Sequence, residues 1–227
     1  MNKISRKLMS LVAITMVLSF TMSSCKKDST DSNAKVLVVH ASPDAPGVDL
    51  LVDNTKVNSA ALNYPTNTGY LTVKAGTRNI KVNAAGTSTS VINADIPFTK
   101  DKNYSLFAID SLSVISALLL EDDLTAPASG KAHVRFVHLS PDAPAVDVAL
   151  AGGAVLFGAY EFEDASAFTP LDAGTYNLEV RVAGTSTVVL PLPGIVLTSG
   201  KIYTVFAKGF LGGTGAQALG AEIIINK

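Results

Sequence analysis

VLVVHASPDAPGVD, residues 36–49, returns at residues 134–147 as VRFVHLSPDAPAVD, an offset of 98. The same offset carries Ala75-Gly76-Thr77 to Ala173-Gly174-Thr175, and Ala85 to Thr89 to Ala183 to Thr187. After one inserted residue, Lys102-Asn103-Tyr104 returns as Lys201-Ile202-Tyr203. A fixed long period over a whole segment means a duplicated domain.

Inside each copy the apolar residues alternate. Tyr176, Leu178, Val180 and Val182 are separated by Asn177, Glu179 and Arg181; Ile80 and Val82 lie between Asn79, Lys81 and Asn83. Strand side chains point alternately to opposite faces, so these read as half-buried strands. Gly-containing turns recur every 8–12 residues or so, and no stretch reads as an amphipathic helix. The fold expected is all-β: two tandem immunoglobulin-like β-sandwich domains, the likeness being one of architecture, because the single Cys excludes an internal disulfide and Trp is absent. The first repeat spans 35–121 and the second 132–227. EDDLTAPASGK, from Glu121 to Lys131, supplies a solvated linker over 122–131.

Residues 1–24 read differently. A basic start with Lys3, Arg6 and Lys7 precedes LMSLVAITMVLSFTM over residues 8–22. As a helix that run reaches about 22 Å, short of the roughly 30 Å of a bilayer core, so it is an export signal and not a membrane span. Met22-Ser23-Ser24-Cys25 resembles the lipobox of bacterial lipoproteins, which implies that Cys25 is lipidated and becomes the N-terminus. Two or more acyl chains make such an anchor stable. Residues 25–34 then form the lipidated Cys and a flexible polar tether. Lys26 follows the cysteine where an Asp would resemble an inner-membrane retention signal. The expected location is the cell envelope, at the outer membrane, on its periplasmic or exposed side.

Composition excludes one class of partner. Without residues 1–24, fifteen basic side chains face nineteen acidic ones, a balance of −4, and no basic stripe is visible. Nucleic acid is therefore not a partner.

The segments around His40 and His138 carry the chemistry that could exist. In the second copy Val134, Phe136 and His138 share one strand face, and Arg135 marks the outer one. His138, and by the same parity His40, therefore points inward, where a buried imidazole needs hydrogen-bond partners. Ser42 and Asp44, and in the second copy Ser140 and Asp142, can supply them or cap the loop. A triad of His40, Ser42 and Asp44 or Asp49 lacks a G-x-S-x-G elbow, and Ser42 precedes a proline. Calcium or zinc held by His40, Asp44 and Asp49, and again by His138, Asp142 and Asp147, is the rival reading, with Glu121, Asp122 and Asp123 as a junction site for calcium. Glycan stacking would fall to Tyr64, Tyr70 or Tyr160, of which Tyr70 aligns with Phe168 and reads as core. Phe210 to Gly215 is a long hairpin tip and not a phosphate loop. Unequal loops of this kind are where binding differences arise.

The paired His-x-Ser-Pro-Asp-Ala-Pro-x-Val-Asp segments and the Ala-Gly-Thr turns resemble a bacterial domain-of-unknown-function family, number four-three-nine-seven, over nearly all of 35–227. That resemblance implies an exported, β-rich, often duplicated protein and transfers no activity. The reading is a non-catalytic envelope lipoprotein, a structural module or one that binds protein or polysaccharide, with metal binding as the alternative.

Overall fold

The computed structural model describes residues 32–227. The expected export signal, Cys25 and most of the expected tether lie outside them. Strands β1 (Asn33–His40), β2 (Val48–Val52), β3 (Thr55–Lys56), β4 (Asn67–Lys74), β5 (Gly76–Ala84), β6 (Ser90–Phe98), β7 (Asn103–Ile109) and β8 (Ser116–Glu121) form the first sandwich. The second repeats them as β9 (Lys131–His138), β10 (Val146–Leu150), β11 (Val155–Tyr160), β12 (Thr169–Asp172), β13 (Gly174–Val182), β14 (Val188–Leu197), β15 (Ile202–Lys208) and β16 (Gly220–Ile225). Two short 3-10 turns are the only helical elements among the described residues, and no helix there could cross a membrane.

Each sandwich pairs two four-stranded sheets. In the first, β4-β1-β7-β8 packs on β3-β2-β5-β6; in the second, β12-β9-β15-β16 packs on β11-β10-β13-β14. The ladders are antiparallel except β1–β7 and β9–β15, which run parallel. The immunoglobulin likeness is thus one of two packed sheets, and the strand order is the chain's own.

The alternating strands β5 and β13 lie in sheets with one core face. Ile80 and Val82 enter the first core, and Leu178 and Val180 the second. Strands β1, β7, β9 and β15 are instead buried along most of their length, because both of their faces are covered. Val36 and Val38 face the first sandwich core, while Leu37 and Val39 join Phe107, Ile109, Val137, Leu139 and Phe206 in a third apolar layer between the repeats. This corrects the expectation for Arg135. It does lie on the face turned away from its own core, but the first repeat covers that face and leaves Arg135 2% exposed.

The layer is close to two-fold. Phe107 and Phe206, equivalent in the two copies, meet edge-to-face with ring centroids 6.0 Å apart. Tyr64 meets Lys208, and their counterparts Phe162 and Ile109 lie in the same layer. Both repeats therefore point the same way. The starts of β1 and β9, the linker and Lys227 gather at one end, where residues 101–103, 121–125 and 227 line a common groove. The His-containing loops gather at the other.

Candidate functional site

Each motif begins where a buried strand runs out. His40 ends β1, is fully buried, and its Nε2–H donates to the carbonyl of Pro46 at 2.9 Å. His138 ends β9 and donates to Pro144 at 3.1 Å. Because a carbonyl only accepts, that bond fixes the proton on Nε2 and leaves Nδ1 as an acceptor. In the second copy Nδ1 receives the Ser140 amide at 3.3 Å. Burial holds both imidazoles below the usual histidine range, so they are neutral.

The carboxylates go elsewhere. Asp44 accepts the Leu112 amide at 2.8 Å, and Asp142 accepts the Leu211 amide at the same distance. Each ties the motif loop to the connection between the last two strands of its sandwich. Asp49 and Asp147 stand on β2 and β10, in the sheet opposite the histidines. They accept the amides of Gly86 at 3.0 Å and Gly184 at 2.9 Å, which fastens the Ala-Gly-Thr turns. Asp49 also faces Lys56 Nζ at 2.7 Å, and this ammonium, with the Gly86 amide, holds its carboxyl below the usual carboxylate range. Asp147 takes a second amide, that of Ala159, at 2.7 Å.

The Ser140 hydroxyl donates to the Gly209 carbonyl at 2.6 Å, not to His138. Ser42 is equally buried, and neither its hydroxyl nor His40 Nδ1 has a hydrogen-bond partner among the described residues, so the two are not bonded to each other. The nucleophile–base contact a triad requires is absent from both copies. No group of three or more His, Cys, Asp or Glu among the described residues is placed to hold a metal ion.

The tyrosines read as glycan platforms are engaged. Tyr160 packs edge-on against Phe136, with ring centroids 5.6 Å apart. Tyr64 lies edge-on to His40 at 6.0 Å, with Lys208 Nζ 5.4 Å over its ring. Burial, with Glu222 nearby, pushes its hydroxyl up to about 12. Tyr70 is not core to its own sandwich: it lines the layer between repeats and donates to Asp122 at 2.5 Å.

That contact belongs to a cluster the sequence reading missed. Asp122, expected in a solvated linker, is 3% exposed and pairs with Arg135 at 2.7 Å. Ser105 donates to Asp122 at 2.8 Å, Arg135 donates to Thr204 at 3.0 Å, and Thr204 donates to Asn226 at 2.8 Å. Arg135 also stacks 4.5 Å over Phe168. The linker start is buried because a buried cation needs a counter-ion. One signal was available: the first copy has Leu37 where the second has Arg135, a charge set between Val134 and Phe136.

The model of the family described as "Domain of unknown function (DUF4397)" matches residues 34–149. The chain belongs to this family. The DUF4397 match takes in the first sandwich from the second residue of β1, the linker, β9 and most of β10, and so includes both copies of the motif. No curated protein matches the chain. Among solved structures, it is similar to a family 26 carbohydrate-binding module (CBMbc) of Eubacterium rectale Amy13K in complex with maltoheptaose. That likeness has 10% identity over 84% of this chain and 96% of the module, with a TM-score of 0.27. At that score it carries no argument.

Proposed function

We propose that this DUF4397 protein is a non-catalytic module of the cell envelope, lipidated at Cys25. Its two sandwiches act as one rigid body that spaces the surface or binds protein or polysaccharide through its loops. One observation carries the reading: in both copies of the motif each histidine and each carboxylate is bonded to a backbone group of its own sandwich. His40 and His138 close the loop, Asp44 and Asp142 hold the next loop, and Asp49 and Asp147 hold the turn. Groups used this way are scaffold, and loops on a rigid scaffold are where recognition is placed.

Two measurements test it. Cells fed labelled palmitate incorporate it into the wild-type chain and not into Cys25→Ser, which moves from the membrane fraction to the soluble one. Equal labelling of both chains overturns the anchor. A fluorophosphonate probe leaves the purified protein unlabelled, and titration calorimetry with calcium or zinc gives no heat. Labelling lost in Ser42→Ala would restore the catalytic reading, and heat lost in His40→Ala the metal reading.

A further inference from the structure

Many charged side chains of the described residues stand at one end of the body or the other. At the loop end stand Asp44, Asp110, Asp142, Glu161, Glu163 and Asp164, with Lys208 turned over the Tyr64 ring. At the other end most carboxylates are spent. Glu121 pairs with Lys102, Asp172 with Lys131, and Asp53 with Arg78. Lys35, Lys74, Lys100 and Lys201 remain there exposed, outside any ion pair among the described residues, against Asp101 and Asp123.

These lysines share one rim. Asn33 pairs with Lys74 across β1 and β4, the Lys35 amide bonds the Lys102 carbonyl, and the His133 amide bonds the Lys201 carbonyl. The chain enters the body at the same rim. Ser32 is seven residues after Cys25, and seven residues span at most about 25 Å. Lys26 and Lys27 lie within that span, balanced by Asp28 and Asp31, so the attraction rests on the rim's own lysines.

We propose that this lysine rim is a docking surface for an anionic lipid bilayer, which seats the body with its acidic loops pointing away from the membrane. Two features choose the occupant: the sign of the rim's free charges, and the short stretch of chain between it and the lipidated cysteine. Anionic headgroups attract clustered lysines, and each contributes about a fivefold gain in partition near the surface. The acidic loop end is repelled by the same field, so the body has one favoured orientation. The orientation rests on the proposed lipidation; the rim's affinity does not.

The test therefore uses the mature chain with Cys25→Ser, which has no lipid. It is sedimented with vesicles of phosphatidylcholine alone, or with one third phosphatidylglycerol. Binding is expected to the anionic vesicles only, and to vanish in about 1 M salt, where the screening length falls to about 3 Å. Replacing Lys35, Lys74, Lys100 and Lys201 with Gln should weaken it by several hundredfold, at about fivefold each. Replacing Asp110, Glu161 and Glu163 with neutral isosteres at the loop end should not. Equal binding to neutral vesicles, or undiminished binding by the lysine variant, overturns the proposal. So does a soluble polyphosphate that competes at the same charge concentration as the vesicles. Failure of palmitate labelling at Cys25 would overturn the anchor and leave this result standing.

Discussion

Arg135 and Asp122 meet at 2.7 Å with side chains 3% and 0% exposed, one from the first strand of the second repeat and the other from the start of the linker. A buried pair of this kind is weak evidence for added stability, because desolvation offsets most of the attraction. Its consequence is conditional: neither charge is tolerable in that layer without the other. The repeats therefore have one docked arrangement in which the pair is satisfied.

Removing one partner should be costly. Arg135→Leu or Asp122→Asn alone is expected to lower stability by about 3–5 kcal/mol. The double variant places at both sites the residues that the opposite repeat carries there, Leu37 and Asn226, and should cost much less than the sum. Urea unfolding of the four proteins closes a double-mutant cycle. Additive losses would show that the two charges do not depend on one another.

Acid should loosen the same molecule at its other end. His40 and His138 are buried and neutral, held below their ordinary value by desolvation. Unfolded, they titrate near 6.5, so below that pH the unfolded chain binds more protons than the native one. Stability is then fully present above about pH 6.5 and falls on acidification, by up to about 1.4 kcal/mol per pH unit for each imidazole. Asp49, whose folded value is depressed, loses its contribution only as pH falls through the lower carboxylate range. The window from pH 6.5 to 5 belongs to the histidines. Urea midpoints of wild type and of His40→Gln/His138→Gln at pH 7 and pH 5 check this; an equal drop in both proteins would contradict it.

The staples should be unequal between repeats. Asp147 takes two backbone amides, while Asp49 takes one amide and an ammonium from a half-exposed lysine. Backbone N–H donors left without their acceptor cost about 1–3 kcal/mol per orphaned buried group. Asp147→Ala is therefore expected to lose about 2–4 kcal/mol, and Asp49→Ala about half as much. Thermal unfolding orders the two, and hydrogen exchange should localise the loss to residues 183–187 for Asp147 and 85–89 for Asp49. Loss spread evenly over both sandwiches would mean that the carboxylates are not local fasteners.

What could be read in advance follows from which contacts are local. The repeat, the alternation of Tyr176 to Val182 and the inward parity of His138 depend on neighbours a few residues or one strand away. The third apolar layer does not. Leu37, Val39 and Phe107 are apolar on the parity that an isolated sandwich would turn to water, but the sequence does not say what covers them. For the same reason Arg135 reads as an outer-face residue and Asp122 as linker. Their burial exists only once the repeats dock. Within the motif, the residue types pointed to hydrogen-bonded loops, while their partners, Leu112, Gly86 and Pro46, are set only by the folded chain.

The 209–219 connection is where a small change should have a large effect. Gly209 sits at φ +80°, and a Cβ there would run into the carbonyl of Ala218. Its own carbonyl accepts the Ser140 hydroxyl, so it joins the motif loop to the longest loop of the second repeat. Gly209→Ala carries about 1–2 kcal/mol of left-handed strain plus the cost of moving that carbonyl. A total near 3 kcal/mol is expected, with faster hydrogen exchange across the loop. Gly212→Ala is the matched control, because its Cβ would enter open space at an unstrained φ, and it should stay within about 0.5 kcal/mol of wild type. If the two variants melt together, the loop is not pinned to the motif. If they separate as expected, a loop held this firmly and still presenting Leu211 at 51% exposure is a preorganised contact surface.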